Sequence, residues 1–98
     1  MSTLHVLSHS PFTDTRLSSC LRLLGSQDAL LLCGDAVYAL QPGTAAWAEL
    51  AGREALALFV LEEDLQARGI ELPSGAKAID YPAYVELTLA HDKVNTWL

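Results

Sequence analysis

Apolar and polar positions alternate along this chain in short blocks of two kinds. "LHVLSH", residues 4–9, alternates loosely around Leu4 and Val6, as a strand buried mostly on one side would, and Pro11 stops it. Leu17, Leu21 and Leu24 then recur at helical spacing, with Thr13 or Asp14 placed to accept the free amide hydrogens of the first turn and Gly25 to close the last. The unbroken apolar run Ala29–Cys33, set between Asp28 and Gly34-Asp35, predicts a central strand covered on both faces. "DAVYAL" begins a short helix capped by Asp35, "QPG" breaks it, and "TAAWAELAG" runs from a Thr44 cap to a Gly52 stop. A third strand, roughly Leu56 to Leu61, passes straight into "EEDLQARG", whose acids at the start and Arg68-Gly69 at the end match a helix dipole. After "LPSG", "AKAID" gives a brief fourth strand. "YPAYVELTLAHD" then forms the last helix, with Tyr84, Leu87 and His91 along one side, and "VNTWL" follows as a short apolar tail.

Strands alternating with helices at this spacing require crossover connections, and crossovers join parallel neighbours. The expected architecture is α/β: a single small three-layer domain over residues 1–98, with a mostly parallel sheet of about four or five strands and helices on both faces. In such sheets the working site lies beyond the carboxyl ends of the strands, here "SHSPF", "CGD", "EED" and "DYP".

Composition changes this picture in three respects. A chain of 98 residues that is 51% hydrophobic, with mean hydropathy +0.25, has more apolar side chains than one small core needs, which points to oligomerisation. The formal net charge of −6 leaves no extended positive surface, so direct nucleic-acid binding is not expected. No apolar run reaches the roughly 18 residues of a membrane span, and "MSTLHVLSHS" lacks a basic start, so a cytoplasmic location is expected. There the two cysteines, which form neither a CxxC pair nor a zinc pattern, are expected to be free thiols.

Cys20 falls inside the apolar stripe of Leu17, Leu21 and Leu24, which favours core filling. Arg16, one turn back, would favour a thiolate if the edge of that stripe met solvent or a partner. Cys33, just before Gly34, sits where a turn can expose a side chain at the rim, yet "LLLC" also reads as four core positions in a row. His5, His9 and His91 are too scattered for a metal site, and no metal or cofactor is expected. His9 could serve a neighbouring thiol as base, though an ordinary loop histidine is the simpler reading. Asp35 is most economically a cap, and Glu62, Glu63 and Asp64 answer to the dipole. No glycine-rich phosphate loop follows any strand.

Taken together, "LHVLSHSPF", "ALLLCGDAVYAL", "VLEEDLQARG", "AIDYPAYVELT" and the terminal "TWL" resemble the TusB/DsrH family, in order and over nearly the whole chain. The family's common Asp-Gly after the second strand is Asp35-Ala36 here, and an aromatic that is usually Phe is Tyr84. The resemblance implies a DsrEFH-like fold and a subunit of a TusBCD or DsrEFH assembly, a heterohexamer shared with TusC/DsrF-like and TusD/DsrE-like chains. That complex takes persulfide sulfur from a TusA-type carrier and passes it to a TusE-type protein, toward 2-thiouridine at the tRNA wobble position, or moves sulfur during sulfur oxidation. DsrH-type members carry a cysteine at the place of Cys20, but the principal sulfur-carrying cysteine belongs to the TusD/DsrE chain, and Cys33 inherits no role. The implied duty is structural and partner-organising, with Cys20 as a direct persulfide acceptor the alternative. A free-standing domain binding a small molecule at the rim is a third.

Overall fold

The computed structural model describes residues 2–12, 15–25, 27–53 and 56–97. Five strands, β1 (Thr3–Leu7), β2 (Ala29–Leu32), β3 (Ala57–Leu61), β4 (Ala76–Ile79) and β5 (Lys93–Trp97), form one sheet in the order β4-β3-β2-β1-β5. Every neighbouring pair is parallel. The helices are α1 (Arg16–Leu23), α2 (Ala45–Ala51), α3 (Glu62–Ala67) and α4 (Tyr81–Ala90), with a 3-10 helix over Gly34–Leu40.

Because side chains alternate across a strand, β1, β2, β3 and β4 each feed two cores. Leu30 and Leu32 of β2 and Leu58 and Val60 of β3 face one side. There they meet Leu17, Cys20 and Leu21 of α1, Val37 and Leu40 of the 3-10 helix, Leu50 of α2 and Leu65 of α3. Leu4, Val6, Ala29, Leu31, Leu61 and Ile79 face the other, where α4 lays Ala83, Tyr84 and Leu87 over them. The division follows from topology. Successive crossovers step from β1 to β4 in one direction, whereas the connection through α4 must return across the sheet to place β5 beside β1. One ten-residue helix therefore covers a face that four shorter ones share on the other side.

Several boundaries differ from the sequence expectation, for identifiable reasons. β1 ends at Leu7, leaving His9 in the loop beyond it. Helix α1 stops at Leu23 with Leu24 already extended, and Gly25 does not close it but donates its amide hydrogen to Asp28 Oδ2 at 2.9 Å. The expected caps Thr13 and Asp14 lie outside the described residues, and Thr15 occupies the cap position without a side-chain bond. Cys33 falls just past β2 and caps the 3-10 helix in place of Asp35, whose carboxylate is engaged elsewhere. Thr44 does cap α2, accepting from the Trp47 amide, and Asp80 caps α4, accepting from the Ala83 amide. The "VNTWL" segment is not a tail: Lys93–Trp97 is a full edge strand paired with β1 from Thr3 to Leu7.

Candidate functional site

At the carboxyl end of β2 the chain turns sharply at Gly34, whose φ of +53° is a left-handed conformation that glycine adopts without strain. A Cβ there would also stand 3.2 Å from the Ser8 carbonyl oxygen. The Gly34 amide hydrogen goes to Asp64 Oδ2 at 2.8 Å, tying this turn to the first turn of α3. Arg68, at the far end of α3, donates to Asp35 Oδ1 at 2.9 Å, lies within 3.7 Å of Asp64, and sits 5.9 Å from the Tyr38 ring centroid. The "CGD" and "EED" ends of neighbouring strands are thus locked together by a charged cluster whose members satisfy one another. Cys33 stands at its edge. Its Sγ donates to the Leu7 carbonyl at 3.4 Å, and burial, with Asp64 adding and Arg68 opposing, pushes the thiol above its ordinary pKa. It is a protonated, half-buried thiol that gives its hydrogen to the sheet.

Cys20 lies at 0% exposure inside the larger core. Burial, reinforced by the Asp28 carboxylate and opposed by Arg53, pushes its thiol up to about 12. The guanidinium that opposes this rise is that of Arg53, beyond α2. Both cysteines are free thiols. Neither is a thiolate in the isolated chain at neutral pH, since only a depressed pKa gives one.

Beneath α1, Asp28 gathers the Gly25 amide, the Thr3 amide at 2.9 Å and His5 Nε2 at 3.3 Å. These bonds, the Gly25 one foremost, hold its carboxyl below the usual range despite desolvation. The other ring nitrogen of His5 accepts from Trp97 Nε1 at 3.1 Å. No sequence signal announced this network, because its members stand 23 and 92 residues apart. His91, by contrast, is engaged locally, Nδ1 lying 2.8 Å from the Leu87 carbonyl. Among the described residues no group of three His, Cys, Asp or Glu side chains could hold a metal ion.

Helix α4 is apolar on both sides. Tyr84 and Leu87 face the sheet, while Tyr81, Val85 and Leu89, spaced one turn apart on the outer side, are 50%, 56% and 80% exposed. Val94 of β5 is exposed on the same side of the sheet, since it pairs with Leu4 in register. Beside α4, Phe59, Lys77, Ile79 and Glu86 line an open groove of about 270 Å³. The signal for the outer stripe was present in "YPAYVELTLA", but only the Tyr84 and Leu87 side of it was singled out.

Helix α4 thus buries one apolar side and leaves another open to water. A family model described as "DsrH like protein" matches residues 9–94. The chain belongs to the TusB/DsrH family. Among its TusB/DsrH relatives, Protein TusB of Yersinia enterocolitica serotype O:8 is 38% identical over 96 residues, covering 96% of this chain and 99% of that one. Protein TusB of Yersinia pestis strain Pestoides F matches with the same identity and coverage. The ychN protein of E. coli, known from a crystal structure, superposes with a TM-score of 0.78 over 99% of this chain and 100% of its own, at 23% identity. That likeness confirms the parallel α/β fold. No helix among the described residues is long and apolar enough to cross a membrane.

Proposed function

We propose that this chain is the partner-organising subunit of a cytoplasmic sulfur-relay complex of the TusBCD or DsrEFH kind. It would work beside TusC/DsrF-like and TusD/DsrE-like chains while persulfide sulfur moves from a TusA-type carrier to a TusE-type acceptor, toward 2-thiouridine at the tRNA wobble position. The observation that carries this reading is the outer face of α4. Three large apolar side chains one turn apart and open to water are costly unless a partner covers them, at about 25 cal/mol for each Å² of apolar surface removed from water. The burial of Cys20 supports organising over carrying, because a persulfide acceptor must present a thiolate to an incoming sulfur.

The test is reconstitution with the two sister chains. Val85→Glu combined with Leu89→Glu is expected to leave this chain folded and to abolish its co-purification with them. Cys20→Ala combined with Cys33→Ala is expected to leave both assembly and tRNA thiolation intact. Sulfur found by intact-mass analysis on Cys20 of the assembled complex, together with lost thiolation in the cysteine variant, would transfer the chain from the scaffold to the relay.

A further inference from the structure

The geometry around His5 fixes where its protons lie. An indole nitrogen carries a hydrogen and cannot accept one, so the 3.1 Å contact from Trp97 Nε1 requires His5 Nδ1 to be bare. The ring's one proton then sits on Nε2, directed at Asp28 Oδ2. His5 is buried, and its two nitrogens are committed to opposite sides: one to the loop before β2, the other to the last described residue of the edge strand β5.

We propose that His5 is a proton-operated latch on β5: neutral, it accepts the Trp97 indole hydrogen and holds the strand's end against β1, and on taking a solvent proton at Nδ1 it turns that acceptor into a donor and releases Trp97. The second proton leaves the Nε2 side intact and turns it into an ion pair, so His5 stays on Asp28 while Trp97 is displaced. Asp28 remains ionised throughout, held so by the Gly25 and Thr3 amides. Among the described residues, the ionisable groups of Cys20, Arg53, Lys93 and Asp92 offer the indole no replacement acceptor. On the α1 side, the Cys20 thiol stays protonated, and Arg53, which acts on it, is a donor. At the start of β5, Lys93 stands in register with Thr3, and Asp92 is occupied by the Ser2 amide at 3.0 Å. β5 is the strand to respond, because four of its five residues are exposed and it has a neighbour on one side only.

The test reads Trp97 alone, in the full chain carrying Trp47→Phe. On acidification from about pH 8 to about pH 5, Trp97 emission is expected to shift to the red. Amide protection factors in β5 should fall about tenfold, the equivalent of one hydrogen bond, while those in β2 hold. His5→Gln, whose amide oxygen accepts from the indole at every pH, is expected to remove the transition, and His91→Gln to keep it. An unchanged Trp97 signal, a transition surviving in His5→Gln, or equal loss of protection in β2 and β5 would overturn the proposal. Should His5→Gln not fold, nitrogen chemical shifts in the Trp47→Phe chain decide. The latch requires the Nε2-protonated tautomer at pH 8 and an indole proton resonance that moves with the same midpoint as the His5 ring. The opposite tautomer, or a ring that titrates without the indole, would refute it.

Discussion

Asp28 shows how much one side chain can hold when its partners come from three places. Replacing it with Ala leaves the Gly25 and Thr3 amides and the His5 ring without their acceptor, and is expected to cost about 1–3 kcal/mol by denaturant unfolding. The pH dependence follows from the direction of its shift. A carboxyl whose pKa is lowered by folding contributes stability that is complete above its unfolded value and is lost as pH falls through the lower folded one. Asp28→Asn should therefore be less stable than the wild type at neutral pH and converge with it in acid, which paired urea melts at several pH values would show. The thiols give a second prediction at this scale. With Cys20 pushed up to about 12 and Cys33 also raised, native protein should react slowly with a small disulfide reagent at pH 8, and both thiols should react once it is unfolded. The Cys20 position was legible from helical spacing alone, since 100° per residue places it in the Leu17 and Leu21 stripe. Its electrostatics were not, because Asp28 and Arg53 reach it through folding.

At the scale of elements, local chemistry decided most of the outcome. Thr44 caps as its position suggests, Asp80 caps α4 without having been singled out in the sequence, and the acids at the start of α3 stand where the dipole favours them. Asp80→Ala is expected to cost about 1 kcal/mol, measured as a shift in the urea midpoint at constant slope. What local pattern could not supply was β5: a five-residue run with one Val and one Trp has no hydrophobic face of its own, and only pairing with β1 makes it a strand. Asp35 was misread for a similar reason, since Arg68, 33 residues away, draws its carboxylate from the cap. On α4 the outer and inner faces are separable by mutation. Leu89→Lys should change the isolated chain's stability by no more than about 0.5 kcal/mol, because the side chain touches mainly water, while weakening assembly with partner chains. Leu31→Ala, on the sheet beneath, should cost about 2–5 kcal/mol because a fully buried side chain loses its packing and leaves a cavity.

In the whole molecule, the asymmetry between the two faces of the sheet explains both the ease and the limit of reading it from sequence. The parallel α/β class was evident from strand and helix alternation, and the family from five ordered segments. Strand order was not, because nothing in the residues between β4 and β5 specifies that α4 must cross back over the sheet. That crossing also has a consequence for biosynthesis. On the ribosome β1 is made first, and its β2 neighbour follows 25 residues later, but the neighbour on its other edge arrives only after 90. Until then the nascent sheet carries an open row of amides and carbonyls along β1, a template for any extended chain nearby. Closing it is the longest-range event in this fold, the kind of contact that forms slowly. A chain that ends before Lys93 should thus keep that edge open to association with other chains, although it holds the residues of four of the five strands.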